Sequence, residues 1–567
     1  MQASKQVLSI TAVTAAMLLL SGCGSSSSDN DSPAAAAEDF NFSEATIASV
    51  HSAITSGQMS CEQIVSGYLD RINTYDTVVG GTELNSVVLT NPNAIGRAIE
   101  FDQNYGTDAD LDDQPLYCIP VLPKDNYNTS DMYTSGGATA FQYNQPSRDA
   151  YTIEKLRDAG AIILGKANMD ELAFGFRGES SVRGLVKNAY DQTKGAGGSS
   201  TGTGASIAAS LAVFGLGTDT GGSIRVPSSL GGLVGIRPSM RLVSQDGIMP
   251  LAAWQDTGGP MCRTVEDCAV AMDVLVGFDE SSHSGQREVF DIDGALVADE
   301  ASYQEVTGVP ESYTAFLDAD ALNGARIGVV RGLFGDNEGD NAIVQAKLNE
   351  ALAAMEAAGA TVEDVVIPDM DDILSKYRSM SSYEFARDME TYLHSWSSNL
   401  DGHLRTYQDF QDSAGYLERN TRTIASRNNL DVDLSTDETY LLNTVDRPTF
   451  VRPRILEALD NTAAGEGAEP YDVLLYPTLQ SLAGDLGSSP SAGSANRLSP
   501  FSGFPALSMP AGMADEDDGV SPAQPVGFEI LAREFDEATL ISIAYSYQEV
   551  AQPRQAPTYY PELTSVQ

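Results

Sequence analysis

Histidine and basic side chains are what this 567-residue sequence has least of: four histidines, and 33 lysines and arginines against 79 aspartates and glutamates. A formal net charge of −46 repels phosphate backbones and anionic membrane surfaces, so nucleic acid is a poor partner. The acidity itself reads as a solvated surface suited to salty or extracellular conditions. His51, His283, His394 and His403 are scattered over polar or amphipathic stretches, which gives no spacing for a metal site. Otherwise the composition, 42% hydrophobic and 20% charged, is that of a packed globular protein.

Long apolar runs are also missing. The run from Val7 to Leu20, preceded by Lys5, is too short to span a bilayer comfortably and reads as an export signal. It ends in Leu20-Ser21-Gly22-Cys23, a tetrapeptide that resembles a bacterial lipobox and marks Cys23 for lipid attachment. The sequence is thereby divided into a signal peptide (1–22), a Ser/Ala-rich tether (23–38) that cannot bury a core, and a globular body (39–567). The expected location is the cell envelope, on the outer membrane through the lipid anchor, with a periplasmic or secreted protein as the alternative. Four cysteines remain in the body, Cys61, Cys118, Cys262 and Cys268. An oxidising compartment would allow bridges among them, but small buried thiols fit Cys262 and Cys268 equally well, and no bridge is assigned.

Beyond the tether, helical and strand-like segments alternate without a second linker. Helical spacing over Thr152–Ala159 stops at Gly160, and Ala161–Leu164 follows as a buried strand. Val265–Val276, Ala342–Ala358 and Ala538–Val550 read as helices, and Arg326–Val330, Thr361–Ile367 and Tyr471–Tyr476 as strands. The expected architecture is a single α/β domain, a large mixed, mostly parallel sheet covered by helices on both faces. The stretches 280–323 and 400–445 read as irregular insertions, and Gly484–Ser499 as a surface loop.

The unusual segment is Gly197-Gly198-Ser199-Ser200-Thr201-Gly202-Thr203-Gly204. It lacks the lysine of a phosphate-binding loop and the glycine spacing of a dinucleotide fingerprint, so no cofactor is expected. A second Gly-rich turn, Gly217 to Pro227, contains Gly221-Gly222-Ser223. A hydroxyl beside consecutive glycines can be a nucleophile with backbone N–H groups gathered round it, although the same tripeptide also serves as a plain turn. Serine needs a base. A distant histidine could reach it; the other candidate is Lys124, delivered by the apolar run Ile119–Pro123 and able to accept a proton if burial keeps it neutral.

Taken together, Ile119-Pro120-Val121-Leu122-Pro123-Lys124-Asp125-Asn126, Gly197-Gly198-Ser199-Ser200 and Gly217-Thr218-Asp219-Thr220-Gly221-Gly222-Ser223-Ile224-Arg225 resemble the amidase signature hydrolases. Gly165–Glu171, Asp256–Met261, Asp472–Leu475 with Pro477-Thr478, and Gly503–Ala506 add to the likeness, which runs from about residue 40 to the C-terminus. The resemblance implies Ser223 as nucleophile, Ser199 in a cis peptide as proton bridge, and Lys124 as base. It also implies an oxyanion hole from the N–H groups of Thr220, Gly221, Gly222 and Ser223. Thr201, Thr203 and Cys118 depart from the family pattern and bear on the pocket wall; Asp219 and Arg225 read as scaffold or substrate contacts.

The activity implied is hydrolysis of a carboxamide C–N bond through an acyl-enzyme, without metal or organic cofactor. Tyr383–Asp388 with Tyr392-Leu393 resembles relatives acting on peptide amides and acyl amides, so a small-molecule or peptide amide is the expected substrate. The alternatives are the glutaminase component of a tRNA-dependent amidotransferase, which export would exclude, and a non-catalytic binding relative. Oligomeric state is not legible.

Overall fold

A computed structural model of the chain describes residues 40–77, 83–280, 297, 299–396, 404–490, 493 and 497–563. The signal segment, Cys23, the tether, His283 and His403 lie outside the described residues. In chain order the strands of the main sheet are β1 Pro120–Pro123, β2 Ile162–Ile163, β3 Phe214–Asp219, β4 Val234–Arg237 and β5 Thr257–Cys262. They continue as β6 Arg326–Val329, β7 Thr361–Asp364, β8 Val473–Pro477, β9 Ala506–Ala514 and β10 Gln524–Leu531. Across the sheet the order is β7-β6-β8-β10-β9-β4-β5-β3-β1-β2.

The sheet is mixed, as expected, but its parallel pairings are confined to the two flanks, β2-β1-β3 and β7-β6-β8. Every pairing between them is antiparallel, which corrects the expectation of a mostly parallel sheet. Helix–strand alternation is legible only on the flanks. The centre is built by β9 and β10, a long antiparallel pair that the sequence pattern does not announce. β1 and β3 are buried at every position, which suits the apolar run of β1 and leaves Thr218 and Asp219 at the end of β3 buried as polar groups.

Around the sheet lie α1 Cys61–Tyr75, α2 Tyr151–Asp158, α3 Thr201–Ala208, α4 Arg225–Leu230 and α5 Val265–Leu275. They are followed by α6 Asp340–Ala357, α7 Ser381–Trp396, α8 Arg447–Leu459 and α9 Glu537–Ala551. The stop after α2 is Gly160 at φ +90°, where a Cβ would lie 2.8 Å from Tyr117 Cα. Only glycine both adopts that φ and leaves the room. From Phe40 onward the chain forms one compact unit, the single domain expected.

One further expectation is corrected, and one point the sequence left open is answered. The 400–445 stretch is not irregular: Tyr407–Ser413, Thr421–Ser426 and Glu438–Leu441 are helical. Tyr407 and Phe410 join Phe141, Met169, Leu172 and Phe385 in a second apolar cluster. These helices are too short for their period to stand out in sequence. The cysteines are bridged, Cys61 to Cys118 and Cys262 to Cys268. The second pair is only six residues apart, a spacing that suggests no bridge by itself; the turn from β5 into α5 brings their Cα atoms to 5.6 Å, inside the disulfide range.

Candidate active site

Lys124 follows directly on β1. The β1–β3 register pairs Val121 with Phe214 and Pro123 with Leu216, and the Lys124 amide continues the ladder to Leu216 O at 3.0 Å. The ladder thus sets the lysine beside the end of β3, fully buried. Its Nζ lies 2.8 Å from Ser199 Oγ, 2.8 Å from Thr218 Oγ1 and 3.4 Å from Thr218 O. Thr218 Oγ1 also accepts from Asn126 Nδ2 at 3.1 Å. Burial lowers the Lys124 amine to about 7, against the weaker upward pull of Asp219, Asp256 and Asp170. A lysine is thus half neutral near physiological pH because water is kept from it.

The Gly198–Ser199 peptide is cis, the isomer that the resemblance implied. The loop is tied down on both sides: Asp170 N donates to Ser199 O at 3.0 Å, and Ser200 N to Ser223 O at 3.1 Å. That second bond clamps the two Gly/Ser segments together, the 197–200 loop onto the 219–223 turn. Lys124 and Ser199 are 0% exposed and Ser223 is 4% exposed, so of the three only Ser223 offers surface to a ligand. Thr201 and Thr203 are buried, and their hydroxyls donate to Gly197 O at 2.7 Å and Leu216 O at 3.1 Å. At Gly202 a Cβ would lie 2.3 Å from Ser86 O, so this position of α3 accepts nothing larger.

Asp219 organises the turn that carries Ser223. It accepts from Gly222 N at 2.6 Å, Ile224 N at 3.1 Å and Arg225 Nε at 3.0 Å, while Arg237 Nε stands 3.3 Å away. Burial alone would raise its carboxyl, but Arg225 and Arg237 outweigh that and hold it far below the usual range. Asp219 and Arg225 are therefore a buried scaffold pair, and Arg225 continues to Glu529 at 2.6 Å. The Gly222 amide, pointed at Asp219, cannot also point into a cleft. It drops out of the four N–H groups expected to face an oxyanion.

Thr220 is held from two sides. Its hydroxyl donates to Asp256 Oδ1 at 2.6 Å, and its carbonyl accepts from Gln255 Nε2 at 3.0 Å. Asp256 Oδ2 in turn takes the amides of Leu251 and Ala252 at 2.7 and 2.9 Å. Burial raises Asp256 to about 6 despite these bonds. Gln255 Oε1 accepts from Met380 N at 3.0 Å and Arg447 Nη1 at 3.1 Å, linking the turn to the 378–380 segment. Thr218, Asn126, Gln255 and Asp256 do not stand out individually in the sequence. Asn126, Thr218 and Asp256 lie in the family-like segments, but the contact of Thr218 with Lys124 is found only once the β1–β3 register is known.

The helices that start at the two serines share an anchor at their far ends. α3 begins after Ser199-Ser200 and α4 after Ser223-Ile224. Arg554 Nη2 donates to Ala208 O at 3.2 Å, and its Nη1 to Gly231 O and Gly232 O at 3.1 and 2.8 Å. Arg71 and Arg263 take neighbouring carbonyls, Ala209 and Ser210 at 3.2 and 2.8 Å and Ile207 at 3.1 Å. Cations at a helix C-terminus are stabilising, and the opposite, N-terminal end is partially positive. For α3 that end adjoins Ser199, where it favours a neutral Lys124.

A cleft of about 430 Å³ opens at Gly221, with Gln255, Tyr377, Arg378, Arg497 and Phe501 in its walls. The described histidines stand elsewhere: His51 contacts Tyr117 O at 3.2 Å, and His394 lies exposed on α7. Among the described residues no group of three or more His, Cys, Asp or Glu could hold a metal ion. Nor, among them, is any helix long and apolar enough to cross a membrane.

Comparison with known proteins agrees with this geometry. The Amidase family matches residues 63–541. The chain is 30% identical over 522 residues to the A component of glutamyl-tRNA(Gln) amidotransferase from an Exiguobacterium species, covering 89% of this chain and 96% of that one. The solved structure of native peptide amidase from Stenotrophomonas maltophilia is similar with a TM-score of 0.76 at 29% identity, over 92% of this chain and 99% of that one. An amidase family protein from Bacillus anthracis gives a TM-score of 0.71 at 27% identity, over 91% and 92%. With a match of that extent and a fold shared over 92% of the chain, the chain belongs to the amidase family, enzymes that hydrolyse amide C–N bonds.

Proposed function

We propose that the protein hydrolyses a carboxamide through a Ser223 acyl-enzyme, with Ser199 and Lys124 as the proton relay. The observation that carries this is a dry amine, lowered to about 7, at 2.8 Å from Ser199 Oγ. Neutral Lys124 takes the Ser199 proton as Ser199 takes that of Ser223, and Ser223 Oγ bonds to the amide carbon. The developing oxyanion meets the N–H groups of Thr220, Gly221 and Ser223. Collapse breaks the C–N bond, with the relay proton returned to the departing nitrogen. Water then attacks the ester, its proton travels the same relay, and a carboxylate leaves.

The similarity to peptide amidase supports a peptide amide or an acyl amide as substrate. A second reading, the glutaminase component of an amidotransferase, is favoured by the 30% identity to the Exiguobacterium protein. The lipobox-like Cys23 segment supports export to a lipid-anchored position, and the two bridged cysteine pairs are in keeping with an oxidising compartment. The purified protein should be assayed on a panel of primary amides, peptide amides, aryl amides, esters and L-glutamine. Peptide or acyl amides should lead, and a covalent acyl group should map to Ser223. Preference for L-glutamine would favour the second reading; acylation elsewhere would remove Ser223 as nucleophile.

A further inference from the structure

The cleft at Gly221 is unlike the rest of this chain in charge. Acidic residues outnumber basic ones by more than two to one overall, yet among the described residues no acidic side chain lines the cleft, and two arginines do, Arg378 and Arg497. Both are exposed. Among the described residues neither lies within ion-pair distance of a carboxylate, as four of the eight exposed arginines do. The nearby Lys376 is different, being matched to Asp446 at 3.1 Å.

The two arginines are also held in place. Arg497 Nη1 donates to Leu374 O. The Arg378 backbone is fixed at both ends, its amide donating to Asn443 Oδ1 at 2.6 Å and its carbonyl accepting from Arg447 Nη1 at 2.8 Å. Arg447 adds a third guanidinium behind the wall: it is buried, stands 4.7 Å from the Phe501 ring, and donates to Gln255 Oε1 at 3.1 Å. Its buried Nε has no hydrogen-bond partner among the described residues. Positive charge in a concave wall of a strongly acidic protein concentrates anions where the bulk field would repel them.

We infer that, among the acyl amides of the proposed reading, this cleft selects those whose acyl part bears a free carboxylate, with Arg378 and Arg497 as its binding residues and Gly221 marking the end where the amide is cleaved. Guanidinium forks suit carboxylates because two N–H donors match two oxygens. The inference rests on the Ser223 reading for where the chemistry occurs, but not for what the cleft binds.

The test compares succinamate, a monoamide with a free carboxylate, with its neutral methyl ester. Wild-type kcat/KM should favour succinamate. In Arg378→Gln, Arg497→Gln and the double variant, that preference ratio should fall by roughly tenfold to a hundredfold, the scale of a charge-assisted hydrogen bond. Arg378→Lys should recover part of it. Independently, succinate binding to Ser223→Ala by calorimetry should weaken by a similar factor when either arginine is replaced. A ratio unmoved by the double variant, or succinate binding indifferent to both arginines, would overturn the inference. Turnover retained by Ser223→Ala would instead fault the nucleophile, leaving the binding result to stand.

Discussion

Asp219 and Arg225 form a buried pair across the Ser223 turn, with Arg225 Nε 3.0 Å from Asp219 Oδ2. Replacing Asp219 with Ala leaves Arg225 with Glu529 as its remaining carboxylate and strands the Arg237 Nε and the amides of Gly222 and Ile224. Breaking one side of a buried pair typically costs about 3–5 kcal/mol, and that loss should appear in urea denaturation. Because the folded carboxyl sits far below an unfolded value near about 3.9, this stability is fully present above the unfolded value. It is withdrawn only as pH falls towards the folded value, so weakly acidic buffers should leave it untouched.

Lys124 should govern the pH profile. kcat/KM should rise through an ionisation near 7, the lowered amine, and Lys124→Ala should lose that limb with roughly 10²- to 10⁴-fold of the rate. Lys124→Arg should not rescue, since guanidinium stays protonated. Stability should rise with pH as well, over a higher range. The folded pKa is below the unfolded one, so the cost of burying the amine is felt in full below about 7 and relieved as pH climbs to about 10.4. Lys124→Met should therefore gain most over wild type in thermal melts at pH 6. A wild-type profile flat across neutrality would refute the lysine base.

Asp256 positions Thr220 rather than touching substrate. Asp256→Ala should lower kcat by roughly tenfold to a hundredfold, the worth of the bonds it frees, with KM little changed. Asp256→Asn, which keeps an acceptor, should recover part of the loss. Equal changes in kcat and KM for substrates of different size would point to a collapsed cleft instead.

The Cys61–Cys118 bridge closes a long loop, the ends being 57 residues apart, and joins α1 to the segment that leads into Lys124. Replacing both with serine should cost about 2–4 kcal/mol, read from denaturant midpoints. The six-residue Cys262–Cys268 loop should contribute less. Mass spectrometry of the unreduced protein should find no free thiol in these four positions.

Cys23→Ser should move the expressed protein from the membrane to the soluble fraction. Stable anchoring takes more than one acyl chain, so loss of the modified cysteine should suffice. Equal membrane association of both forms would remove the lipid anchor from the proposal.

Much of the site is visible in the residues because its parts are unusual locally. Gly197–Gly204 and Gly221–Ser223 are too rich in glycine to be ordinary elements, and Lys124 ends an apolar run that had to be a buried strand. What the residues hide depends on distant pairing. Thr218 meets Lys124 only through the β1–β3 register. The Gly222 amide goes to the oxyanion by analogy, and no local pattern reveals that Asp219, three residues earlier, claims it. The antiparallel centre is hidden for a similar reason: β9 carries Pro510 and Gly512 at a register shift, so its alternation is broken in sequence although its pairing is continuous in space.

The shared guanidinium of Arg554 makes a remote part of the sequence matter. The helices that open at Ser199 and Ser223 are finished at their far ends by a residue more than 300 positions later, which also grips Glu44 at 2.7 Å. Arg71 draws Tyr560 O and Pro561 O to the same place, each at 3.0 Å. A chain lacking Arg554 therefore leaves Gly231 O and Gly232 O, at the end of the Ser223 helix, without that guanidinium, while Arg71 and Arg263 still meet the carbonyls that follow α3. Completion of the helix that opens at Ser223 thus depends on a side chain drawn from a segment remote in sequence, so that the two Gly/Ser segments are braced by the chain as a whole and not by their own neighbourhood.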